Sequence, residues 1–184
     1  LALWQANYIK LYLEKNFLDI STSIHVIQTK GDMNLKDDLS SLGGKGAFVK
    51  EIQKALIENK IDIAVHSYKD LPAESPSELE IISVSPREDE RDVLISKNKQ
   101  VFNDLNHNST IGTGSLRRNE QIKLIRDDLE YVPIRGNIDT RINKVLNNEL
   151  DGIIIAAAGV IRLSLSKYIS NFFKVDEIVP PPLQ

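Results

Sequence analysis

The sequence predicts an α/β protein made of two layered units. Three observations predict it. Apolar residues recur alternately at helical and at strand spacing, the pattern breaks once at a short charged stretch and then restarts, and cations stand repeatedly where a strand gives way to a helix.

In chain order, ALWQANYIKLYLEKN (2–16) sets Leu3, Ala6, Ile9, Leu13 and then Phe17 at helical spacing, and STSIHVIQT (21–29) alternates as a strand does. KGAFVKEIQKALIENK (45–60) reads as an amphipathic helix with Phe48, Ile52, Ala55 and Leu56 on one face. IDIAV (61–65), expected to be buried, and LEIISVS (79–85) read as strands. PREDERD (86–92) is the charged interruption. Beyond it come STIGTGS (109–115), the helix SLRRNEQIKLIRDD (115–128), the strand LEYVPIRG (129–136), the helix NIDTRINKVLNNEL (137–150) and the apolar strand DGIIIAAAG (151–159). Largely parallel pairing is expected from this alternation. Two such units are expected, joined near 86–92.

Composition narrows the function. At 184 residues and 41% hydrophobic the chain can bury a real core. No run nears the roughly 18 apolar residues of a membrane span, and the first 20 residues lack a secretory pattern, so a cytoplasmic protein without a membrane partner is expected. There is no cysteine, which excludes disulfides, thiolate metal sites and cysteine nucleophiles from these residues. A net charge of −3 argues against a nucleic-acid partner, because such domains are usually strongly basic. His25, His66 and His107 are scattered without ligand spacing, so no metal site is expected.

The cations carry the functional signal. Helix N-termini already bear partial positive charge, so each cation placed there costs about 0.3–1 kcal/mol unless an anion offsets it. Ser115 is an expected N-cap with Arg117 and Arg118 in the first turn behind it, and Asn137 is a second, with Arg135 before it and Arg141 one turn in. Lys45 opens a helix from the stretch Gly43, Gly44, Lys45, Gly46, and Lys69 leaves a strand end at HSYKD. Four junctions of one kind point to a polyanionic ligand, gripped bidentately by arginine and by backbone N–H groups of TGS and RGN. The bland readings stand beside this one. A single first-turn arginine is usually a solvated side chain, GGKG lacks the P-loop spacing, and Asp37, Asp38, Asp127, Asp128 and Glu88–Glu90 read as solvated loops. Arg162 reads either as a core-edge residue or as a further anion contact. Asp70 is the acid that does not fit. It leaves the same strand as Ser67 and Lys69, and a carboxylate set among anion-binding cations suits a site where positive charge develops.

LALWQA (1–6), GGKGAFVKE (43–51), DIAVHSYKDLP (62–72), REDERD (87–92), IGTGSLRR (111–118), RGNIDTR (135–141) and AAAGVIRL (156–163) stand in the order and spacing of the porphobilinogen deaminase (hydroxymethylbilane synthase) family, which the chain resembles over essentially its whole length. The resemblance implies two similar, doubly wound domains of the type-2 periplasmic binding-protein fold with a cleft between them, 1–86 and 93–179 with a hinge at 87–92 and 180–184 beginning a return to the first, and a third α+β domain absent from these residues. It implies head-to-tail condensation of four porphobilinogen molecules, each a pyrrole with acetate and propionate arms, into a linear tetrapyrrole of haem biosynthesis. Ammonia leaves at each step, and a cationic azafulvene is attacked by the growing chain. The implied cofactor is dipyrromethane, held by a thioether, and a monomer acting on small-molecule porphobilinogen is expected. On matching positions Asp70 would be the catalytic carboxylate. Lys45, Ser67, Lys69, Thr113, Ser115, Arg117, Arg118, Arg135, Gly136, Arg141 and Arg162 would hold carboxylates of cofactor and substrate.

Five departures bear on that expectation. The family's first strand, with its arginine and serine, is expected upstream of Leu1. The cofactor-bearing cysteine belongs to the third domain, so these 184 residues alone are expected to be inactive. Leu183 stands where the family has glycine, a change that a left-handed turn resists. Ser41 replaces a common lysine, and Gly114 interrupts a Thr-Ser-Ser run. Two other classes remain: a non-catalytic carboxylate-binding module on the same fold, and a nucleic-acid binder, which would show steep salt dependence.

Overall fold

The computed structural model describes residues 1–29, 49–72 and 74–183. Its contacts divide it into two units, Leu1–Pro86 with Leu183, and Arg87–Pro182.

In the first unit, α1 (Ala2–Asn16) is built of good helix formers and ends where Phe17 turns to an extended conformation. Asn7 and Asn16 donate back to the carbonyls of Leu3 and Tyr12 at 2.8 and 2.7 Å, and Trp4 stacks on Tyr8 four residues on. None of its residues is buried. Of the face expected from spacing, Ala6, Ile9 and Leu13 are half-buried, while Leu3 and Phe17 are exposed. Helix α2 (Lys50–Ile57) follows buried Val49 and buries Ala55. It stops because Asn59 adopts φ 54° and Lys60 N–H returns to the Ala55 carbonyl at 2.9 Å, the left-handed cap that asparagine tolerates. A single 3-10 turn covers Tyr68–Asp70.

The strands expected at 21–29, 61–65 and 79–85 are corrected here, since none of these segments pairs with another among the described residues. IDIAV is not a buried strand either: Ile63 is exposed, as are Val26, Ile81, Ile82 and Val84. Alternation supplies the side-chain pattern of a strand, but a strand exists only through ladder bonds to a neighbour.

The second unit holds a five-stranded sheet in the order β3-β2-β4-β1-β5. Its strands are β1 (Asp92–Ser96), β2 (Thr110–Thr113), β3 (Glu130–Pro133), β4 (Gly152–Ala156) and β5 (Asn171–Phe172). Pairing is parallel for β2–β3 and β2–β4 but antiparallel for β1–β4 and β1–β5, so the sheet is mixed where largely parallel pairing was expected. The expected connection at 87–92 likewise yields its last residue, Asp92, to β1. Both faces of the sheet are covered, which explains the uninterrupted apolar runs of β1 and β4. Val93, Ile95, Ile153 and Ile155 face one core with Ile142, Val145 and Val160. Leu94 and Ile154 face another with Ile111, Ile122, Phe102 and Phe173.

The three helices of this unit follow from their caps. Helix α3 (Leu116–Lys123) starts at Ser115, whose hydroxyl accepts from Arg118 N–H at 3.5 Å. Helix α4 (Ile138–Leu146) starts at Asn137, which accepts the Thr140 N–H at 2.8 Å. Helix α5 (Ala157–Arg162) begins inside the stretch expected to continue β4, because alanine is the strongest helix former and the ladder with β1 ends at Ala156. Leu183 takes φ 67°, the left-handed conformation in which a leucine is strained.

Candidate functional site

Parallel β2 and β3 are neighbours in register, Thr113 opposite Pro133, so their carboxyl ends bring two strand-to-helix junctions side by side. At the first junction Thr113 is buried and its hydroxyl accepts the Ser115 N–H at 3.4 Å. At the second, Gly136 takes φ 101° and its carbonyl accepts Arg141 Nε at 2.8 Å. Gly114 lets the two meet. A Cβ there would fall 2.7 Å from the Ile134 carbonyl and 3.6 Å from both terminal nitrogens of Arg141.

Three arginines share this region. Arg117 Nη2 donates to Asp92 Oδ2 at 2.6 Å and Arg118 Nη2 to Asp92 Oδ1 at 2.8 Å, while Arg117 Nη1 reaches the Val179 carbonyl. Asp92 is 1% exposed and Arg118 8%. Arg118 Nε is buried with no hydrogen-bond partner. Burial, and after it the charge of Arg118, holds the Arg141 guanidinium below its usual pKa. Two guanidinium groups therefore share one buried carboxylate, and Arg141 lies near enough to Arg118 to feel its charge; such an arrangement can take up a further anion.

Arg135 is half-buried between β3 and α4. Arg162 is half-buried in the last turn of α5, where the helix dipole favours a cation, rather than after a strand. Lys45 lies outside the described residues, as do Ser41 and the glycines around it. Ser67, Lys69 and Asp70 belong to the first unit. There Ser67 Oγ accepts from Gln5 Nε2 at 2.9 Å, tying α1 to the turn. Asp70 is exposed and ends a 3-10 turn, which corrects the expectation of a buried strand before it. Just before the turn, burial pushes the His66 imidazole below its usual value while the Asp70 charge pulls it back, and His66 Nε2 is buried without a hydrogen bond. Among the described residues no cluster of His, Asp and Glu could hold a metal ion, and no helix is long and apolar enough to cross a membrane.

Sequence reasoning missed Asp92, Gln5 and Gln121. Asp92 had a signal: it opens the apolar run VLIS at the same parity as Leu94, on the face that packs against α3. Asp128, expected as a solvated acid, forms a two-point ion pair with Arg126 at 2.6 and 2.7 Å.

The second unit is a mixed α/β unit whose arginines gather at adjoining strand-to-helix junctions. The family model described as "Porphobilinogen deaminase, dipyromethane cofactor binding domain" matches residues 1–184, and the chain belongs to the porphobilinogen deaminase family. It is 48% identical over 98% of its length to the porphobilinogen deaminase of Syntrophomonas wolfei, covering 59% of that protein. It is 46% identical to those of Natranaerobius thermophilus, over 100% of this chain and 60% of the relative, and Alkaliphilus metalliredigens, over 98% and 57%. The chain thus spans less than two thirds of the length of these relatives.

Proposed function

We propose that the chain is the carboxylate-holding part of an enzyme that joins four porphobilinogen molecules head to tail into hydroxymethylbilane, releasing ammonia. The observation that supports this reading best is the charge imbalance around Arg118, a buried guanidinium with an unpaired Nε beside a second desolvated arginine. The acetate and propionate arms of a pyrrole are anions of the kind this imbalance accommodates.

The same observation tests the fit of dipyrromethane. Its carboxylates suit Arg118 and Arg141, with Arg117, Arg135, Thr113, Ser115 and the Gly136 backbone around them; Arg162, Lys45, Ser67 and Lys69 would extend the set. The thioether has no thiol among these 184 residues. When bound, dipyrromethane supplies the pyrrole carbon from which the chain grows. Asp70 would stabilise the positive charge that develops as ammonia leaves the substrate, and would move a proton at its carboxylate. On this reading the units 1–86 and 93–179 are the two periplasmic-binding-protein-like domains, 87–92 is the hinge, and the protein works as a cytoplasmic monomer.

The test is Asp70→Asn in a form extended to the relatives' full length. Turnover should fall about 10²–10⁴-fold, the scale of a lost acid–base group, with tetra-acid binding retained. Unimpaired turnover would contradict the assignment. A non-catalytic carboxylate-binding module is the second reading, favoured by the exposure of Asp70; it predicts no turnover in the unmutated extended protein.

A further inference from the structure

Neighbouring residues on a helix point about 100° apart, so Arg117 and Arg118 should diverge from α3 and repel one another. They do not diverge. One oxygen of Asp92 takes Nη2 of Arg117 at 2.6 Å and the other takes Nη2 of Arg118 at 2.8 Å. Asp92 can do this because it is the first residue of β1, fixed by the ladder with β4 and 1% exposed. Arg117 is held from a second side as well. Its Nη1 donates to the Val179 carbonyl, and Gln121, one turn along α3, accepts the Val179 N–H at 2.6 Å. The pair is thus oriented before any ligand arrives, with Arg118 Nε left as an unused buried donor.

We propose that Asp92 is the positioning residue of the carboxylate site: by taking one nitrogen from each arginine, it converges the two guanidinium groups into a single platform for a pyrrole polycarboxylate. The inference rests on the function proposed above. A preset geometry is what separates recognition of several linked carboxylates from the attraction of any small anion, since a lone arginine can grip one phosphate.

Two measurements test it. In nitrogen-detected arginine NMR of the unmutated chain without ligand, the guanidinium groups of Arg117 and Arg118 should rotate slowly; free rotation of either would overturn the proposal, and no variant has to fold for this result. The second measurement is calorimetric titration of Asp92→Asn with a dipyrromethane tetra-acid and with inorganic phosphate. Tetra-acid affinity should fall about tenfold or more, the scale seen where a residue that orients a ligand group is lost, while phosphate affinity is kept or rises. A parallel fall for both would mean a structural defect and overturn the inference alone. Failure of the unmutated chain to bind the tetra-acid would overturn the functional reading and this inference with it.

Discussion

Gly136 joins backbone conformation to the site. At φ 101° a side chain is strained, and a Cβ would press on Thr140 Cγ2 at 2.9 Å. Gly136→Ala should cost about 1–3 kcal/mol in urea unfolding, and because the Gly136 carbonyl holds Arg141 Nε it should also weaken anion binding. Asp128 gives a prediction in pH. Its hydrogen bonds to Arg126, and to a lesser extent the nearby His107, lower its carboxyl from 3.8 to about 2. A depressed folded pKa stabilises above the unfolded value, so this contribution is complete above 3.8 and is lost as pH falls from 3.8 towards 2. Asp128→Asn should flatten the acid limb of the stability curve over that interval and leave the slope near neutrality unchanged. Residue types and their offsets from caps were legible: Arg117, Arg118 and Arg141 lie where the caps put them. Asp92 was legible only in part: its parity with Leu94 was a signal, but which member of a charged run turns inward is decided by strand register.

The elements of the second unit show what local signals can and cannot settle. Asn137 marked the start of α4 because an N-cap needs only its own helix, and Asn137→Ala should cost about 1 kcal/mol by thermal or chemical melt. The apolar run of β4 marked a strand buried on both faces. Ile154 is fully buried in its centre, so Ile154→Ala should cost about 2–5 kcal/mol. Where β4 gives way to α5 was illegible, since alanines fit the end of a buried strand and the start of a helix equally. The segments 21–29, 61–65 and 79–85 carry strand patterning without a ladder partner among the described residues. Pairing is non-local, and periodicity along one segment says nothing about its neighbour.

For the molecule as a whole, a net charge of −3 coexists with a local surplus of guanidinium groups at the junctions of β2 and β3. Global charge argued against a nucleic-acid partner from composition alone, while the local surplus needed the fold to bring two distant junctions together. Asp92 is shared between two of these arginines, Arg117 and Arg118. An anion bound there should stabilise the chain by mass action, about 2.7 kcal/mol at a hundredfold excess over its Kd, and the stabilisation should shrink with added salt. The central claim is most directly tested by titrating this 184-residue chain calorimetrically with a dipyrromethane tetra-acid and with phosphate. The arginine platform predicts saturable one-to-one binding of the tetra-acid and distinctly weaker binding of phosphate. Equal affinities, or no heat from either with a folded chain, would contradict it.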